Sequence, residues 1–153
     1  MVSTNRDMVK NLCKSIVTRL ENQKAIALQT KLREIVRDDV YSLVGPYILT
    51  DQDIRERTLE KIGASKEQME ENLTEQQLLE SAPYRTARSL VRKALGDDEL
   101  NGFYFQKSLN EIARLIGDYL MRSSHIEDVF ETDDDLIQIT VDIIKHFNPG
   151  HAH

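Results

Sequence analysis

One cysteine, three prolines, six glycines and no tryptophan set the first limits on this 153-residue chain. Cys13 has no second cysteine to pair with, which excludes a cystine-stapled scaffold. Its place in an apolar pattern reads as a buried thiol kept in a reducing compartment. Proline and glycine are too scarce for a collagen-like or low-complexity chain. No run approaches the roughly 18 to 20 apolar residues of a membrane helix, and residues 1–7 are polar where a signal peptide needs an apolar stretch. A cytoplasmic protein without a membrane span is expected. Positive charge is also in deficit, with 20 bases against 26 acids and a formal charge of -6. Wholesale coating of nucleic acid needs many phosphates neutralised by Lys and Arg, so that role is disfavoured, although a local basic patch is compatible with the total.

What remains is a globular composition, 40% hydrophobic and 30% charged. A chain of this length hides about 68–70% of the surface it exposes when unfolded, enough for a core without staples. The expected organisation is a single helical domain over 1–153.

Apolar spacing gives the helices. Met8, Leu12, Ile16 and Leu20, with Val9, Cys13 and Val17 beside them, form one face of a helix over 5–21. An apolar connector, residues 25–28, leads to a second helix with Thr30 as N-cap, carrying Leu32, Ile35, Val36, Val40, Leu43 and Val44 and ended by Gly45-Pro46. Thr50 caps a third, with Asp51 and Asp53 in its first turn, Ile54, Leu59 and Ile62 inward, and Gly63 as its stop. Ser65 with Gln68 and Thr74 with Gln77 read as capping boxes of two short helices in a polar middle. Pro83 opens a helix over 84–95 with Ala87, Leu90, Val91 and Ala94 inward. Asn101-Gly102 has the composition of a hairpin turn. The helical spacing of Phe105, Leu109, Ile112, Ile116 and Leu120 instead favours one long helix over 103–121. A second connector, 123–131, precedes a last helix opened by Thr132 and Asp135, with Leu136, Ile137, Thr140, Val141, Ile144 and Phe147 buried. The predicted fold is all-α, a compact bundle of about six or seven helices.

The two ends of the chain resemble each other. Leu12, Cys13, Ile16 and Leu20 match Ile112, Ala113, Ile116 and Leu120 at an offset of 100, and Leu32, Val36, Val40 and Leu43 match Leu136, Thr140, Ile144 and Phe147 at an offset of 104. Units 5–44 and 105–147 read as a pseudo-repeat of helix, connector and helix, and contact between the connectors is the geometry that reading requires. Any pair of amphipathic helices can be aligned in this way, so duplication and coincidence both stay open.

The run Ser15-Ile16-Val17-Thr18-Arg19-Leu20 with Ile26-Ala27-Leu28, and the run Ser123-Ser124-His125-Ile126-Glu127-Asp128-Val129-Phe130 followed by Asp133-Asp134-Asp135-Leu136, resemble a bacterial family known as domain of unknown function 507. The resemblance implies an intracellular, bacterial, helical protein. It brings no activity, cofactor or catalytic residue with it.

No motif names a reaction. The glycines stand too far apart for a phosphate-cradling loop, and no serine sits in a nucleophile elbow. No two histidines lie one helical turn apart around a glutamate, and the positions three before His125, His146, His151 and His153 hold Arg122, Ile143, Asn148 and Gly150 instead of the glutamate a di-iron bundle uses. Asp133, Asp134 and Asp135 begin like a calcium loop, but Ile137 and Gln138 occupy a ligand position and the required glycine. Asp51 and Asp53 fail likewise through Arg55 and Glu56. These carboxylates read as complements to helix dipoles, and His151 and His153 as a frayed tail. No catalytic, metal or cofactor residue is assigned, and no cofactor is expected.

Two groups of residues carry the functional expectations. Arg85, Arg88 and Arg92, at i, i+3 and i+7 with Lys93 beside them, form a basic helix stripe suited to an acidic partner or to phosphate. The alternative is a solvated face paired with the protein's own acids. Phe103 and Tyr104 follow, and if exposed they extend the stripe with stacking side chains, whereas core placement makes them anchors. The second group is His125 with Glu127 and Asp128, where an imidazole oriented by a carboxylate could do acid–base or metal chemistry. Its alternative is a hydrogen-bonding connector that holds Ile126, Val129 and Phe130 against the core. The favoured reading is a non-enzymatic protein-interaction or regulatory module with a protein partner, possible self-association and no membrane contact. Nucleic-acid association through the stripe comes second, and an enzyme or metal protein centred on His125 third.

Overall fold

The structure is a computed structural model and describes residues 5–61, 82–95, 99–100 and 102–147. Its helices are α1 (Asn5–Asn22), α2 (Arg33–Val44), α3 (Asp51–Lys61), α4 (Ala82–Leu95), α5 (Leu109–Arg122) and α6 (Asp133–His146). Five strands of two or three residues lie among them: β1 (Ile26–Ala27), β2 (Ile48–Thr50), β3 (Glu99–Leu100), β4 (Phe103–Phe105) and β5 (Asp128–Val129). The all-α class is correct. The two short helices expected around Ser65 and Thr74 lie outside the described residues.

Hydrophobic spacing places α1 and α6 as expected, and α5 over the later part of its expected range. Val9, Leu12, Cys13, Ile16 and Val17 are fully buried along one stripe of α1, and Ile112, Ile116 and Leu120 along one stripe of α5. α1 packs on α2 and α6, while α5 packs on α6 and α2, so the two connector-linked pairs meet crosswise. The connectors pair as an antiparallel ribbon, Ile26 opposite Val129 and Ala27 opposite Asp128. Two flanking bonds extend it, from the Glu127 N–H to the Ala27 carbonyl and from the Phe130 N–H to the Ala25 carbonyl, each 2.8 Å.

The register of the two ends is more regular than the sequence suggested. α1 and α5 end at positions one hundred apart, Asn22 and Arg122, and α2 and α6 begin one hundred apart, Arg33 and Asp133. Val36, Val40 and Val44 are buried as Leu136, Thr140 and Ile144 are, which corrects the expected offset of 104 for the second helices. Alignment on Leu32 misleads because that residue sits in a half-buried 3-10 turn, Thr30–Leu32, before α2 begins. For the same reason Thr30 makes no side-chain cap: the residue preceding α2 is Leu32.

The largest correction concerns residues 99–108. No helix starts at Phe103. β3 and β4 form an antiparallel hairpin, Glu99 opposite Tyr104 and Leu100 opposite Phe103, with Gly102 at φ 88 in the turn. A positive φ is available to glycine at no steric cost, which is what such a turn demands. β2 pairs on the other side of β4, giving the order β2-β4-β3. α5 begins only at Leu109, where Ser108 Oγ accepts from the Glu111 N–H at 3.1 Å.

This small sheet separates two apolar clusters because side chains alternate across a strand. Phe103, Phe105 and Ile48 join the main core with α1, α2, α5 and α6. Tyr104 and Leu49 point the other way, to Ile54 of α3 and Val91 of α4. Arg6 fastens the start of α1 to this region, its Nη2 donating to the Ile48 carbonyl at 2.7 Å and reaching Asp53 at 3.4 Å. Asp53 in turn accepts from the Thr50 N–H at 2.9 Å, half of a capping box that starts α3.

Thr132 caps α6 as expected, its Oγ1 accepting from the Asp135 N–H at 3.2 Å. Thr132→Ala leaves that donor to water and is expected to cost ~1 kcal/mol, read as a lower urea midpoint at unchanged slope.

Candidate functional site

Three places carry the residues singled out above: α4 with the strand beside it, the connector around His125, and the end of the bundle where the ribbon lies.

On α4 the inward face is Tyr84, Ala87 and Val91. Leu90, expected inward, is 50% exposed. At 3.6 residues per turn Arg85, Arg88 and Arg92 do form one stripe, but it flanks the buried face instead of opposing it. Arg88 therefore leans over the sheet. Its Nη2 donates to Tyr104 Oη at 3.3 Å and lies 3.6 Å from Asp51 Oδ1, while Tyr104 Oη donates to the same carboxylate oxygen at 2.5 Å. The Arg92 guanidinium sits 5.5 Å from the centre of the Tyr104 ring, within cation–π range. Two arginines of the stripe are thus spent on a phenol and a carboxylate of this chain, and Asp51 is a partner that sequence spacing did not point to. Arg85, Leu90 and Lys93 are exposed.

Phe103 and Tyr104 are 2% and 5% exposed. Of the two readings, core placement holds and the exposed stacking surface is corrected: both are core residues of β4. The nucleic-acid reading thereby loses its aromatic component.

At the second connector the His125 N–H donates to Ser123 Oγ at 3.1 Å, the Glu127 backbone serves the ribbon, and Asp128 Oδ1 accepts from the Val129 N–H at 2.9 Å. Among the described residues no side-chain hydrogen bond or ion pair joins His125 to Glu127 or Asp128. Nor do three or more His, Cys, Asp or Glu side chains there converge as a metal site would need. The three residues share a connector. Phe130 corrects a further expectation: strand alternation turns Val129 inward and leaves Phe130 58% exposed.

Phe130 has company at that end. α1 and α5 run into the ribbon and α2 and α6 run out of it, through linkers of a few residues. Ile35 in the first turn of α2 and Met121 in the last turn of α5 therefore lie at the same end, 43% and 40% exposed. Nearby, Tyr119 Oη donates to Asp39 Oδ2 at 2.5 Å across α5 and α2. Burial pushes that phenol up to about 12, and the bond to the carboxylate adds to the shift.

Fold and surfaces together define a class: a mostly helical protein whose first and last helix pairs join at a ribbon, with charged surfaces and a few exposed apolar side chains. No helix of the described residues is long and apolar enough to cross a membrane. The chain belongs to the family described as protein of unknown function DUF507, whose family model matches residues 3–151. Comparison with curated proteins and with solved structures yields no match.

Proposed function

We propose that this protein is a non-enzymatic interaction module of the cytoplasm, an adaptor or regulator that docks an acidic protein segment on the outward face of α4. The observation that carries this reading is Leu90, a half-exposed leucine one helical turn from exposed Lys93. An apolar side chain beside a cation suits a segment that offers an apolar anchor next to Asp or Glu. The cation guides its approach and desolvation of the leucine contributes the holding energy. Arg88 and Arg92 serve a different purpose, fixing α4 against Tyr104 and Asp51 so that this face is presented rigidly.

The test is a nuclease-treated pull-down comparing wild type with Leu90→Asp and with Lys93→Glu, each checked by its melting temperature. One discrete protein, retained by the wild type and reduced at least tenfold by both variants, is expected. Recovery that vanishes with nuclease, or that both variants retain, overturns the reading.

A further inference from the structure

We propose that the ribbon end of the bundle is a self-association surface that binds a second copy of this chain. Of the large hydrophobic side chains exposed among the described residues, Ile35, Met121 and Phe130 lie at that end, and Leu90 alone lies elsewhere. Isolated exposed hydrophobics need no explanation, whereas a concentration of them marks a contact surface.

Charge indicates the occupant. On the half contributed by the first connector the two acids are already held, Glu21 by Arg33 at 2.7 Å and Glu34 by Arg37 at 2.7 Å, which leaves exposed Arg19, Lys24 and Lys31 to set its sign. The half contributed by the second connector holds Glu127, Asp128, Glu131 and the aspartates at 133–135, against Arg122. One end thus carries a basic half and an acidic half, with Ile35 on the first and Met121 and Phe130 on the second. A purely basic partner would meet repulsion from Arg19, Lys24 and Lys31, and a purely acidic one would meet it from the carboxylates. The surface that fits presents both signs in reversed order around an apolar centre, and the same end of another copy does so. A two-fold axis parallel to the plane of the end lays each basic half on the partner copy's acidic half. It brings Phe130 towards Ile35 twice, in an isologous contact that closes at two chains.

The experiment measures the mass of the full chain by sedimentation equilibrium over a concentration series. Wild type is expected to reach twice 17.7 kDa at micromolar concentrations. Phe130→Asp should weaken association at least tenfold. Lys24→Glu/Lys31→Glu makes both halves acidic, and Glu127→Lys/Asp128→Lys/Glu131→Lys makes both basic. Each variant alone should be a folded monomer, and an equimolar mixture of the two should recover a dimer containing one of each. Three results overturn the proposal. The first is a wild type of single-chain mass throughout, which would give this end to a different protein. The second is a dimer that survives Phe130→Asp, and the third is a mixture of the two charge variants that stays monomeric.

Discussion

Phe103→Ala is expected to lower the unfolding free energy by ~3–5 kcal/mol, the range for deleting a buried phenylalanine whose cavity cannot collapse. Phe103 lies on β4, the central strand of the three-stranded sheet, and is hydrogen-bond paired to β2 on one side and β3 on the other. Backbone held on both edges cannot move inward to fill the space. The ring also meets Phe105 at 6.4 Å and Phe147 at 6.0 Å between centroids, both tilted, so two aromatic contacts go with it. Against a total of about 5–15 kcal/mol for an ordinary domain, that is a large share. Urea unfolding should show a much lower midpoint at an unchanged slope. Leu90→Ala, at half exposure, provides the contrast and should stay within about 0.5 kcal/mol. A loss of under about 1 kcal/mol for Phe103→Ala would mean that β4 does not divide the two clusters as described.

Alkaline pH should destabilise the protein through Cys13, the second large effect. The thiol has no exposure, and burial pushes it up to about 12 from an ordinary value near 9, with the Arg6 charge pulling weakly the other way. The folded state keeps its proton at a pH where the unfolded chain has released it. The protonated thiol's stability is therefore fully present below pH 9 and is lost as pH rises from 9 to 12, at a slope of up to ~1.4 kcal/mol per pH unit. Tyr119, raised to about 12 from 10, acts in the same direction over the upper part of that window. Urea midpoints of the wild type should fall steeply between pH 9 and 11, and Cys13→Ala should fall less over the same range. Parallel curves for the two proteins would show that the thiol is not the group responsible.

Legibility in the sequence depended on whether one period dominated a segment. α1, α5 and α6 could be placed because each buries a stripe at helical spacing, and α3 because Thr50 and Asp53 mark its start. The hairpin was hidden because Phe105 falls in phase with Leu109 and Ile112, so a three-residue strand passed for a first helical turn. The signal that separates them is local: Ser108 with Glu111 is a capping pattern that starts α5 at Leu109. Leu90 was misplaced because α4 holds enough small and apolar residues to support two neighbouring faces. Tyr84 and Val91 docking on the sheet decided between them, a tertiary fact absent from the helix itself. The basic stripe was visible as a spacing. Its partner Asp51, 37 residues before Arg88, was not, since only the fold brings them to 3.6 Å.

The β1–β5 ribbon has a further consequence, for the order in which the chain can finish folding. Ile26 has no strand partner until Val129 exists, more than one hundred residues later, and α1 cannot cover its buried stripe until α6 has been made. During synthesis the first helix pair must wait, seconds at ordinary elongation rates, with Leu12, Ile16 and Leu20 incompletely covered. Closure over so long a stretch also raises contact order and slows the last step even for a complete chain released from denaturant. A nascent chain stopped before residue 103 would lack both the ribbon strand and the aromatic sheet, leaving a sticky, protease-sensitive intermediate whose capture by chaperones would ease as the final helix leaves the ribosome.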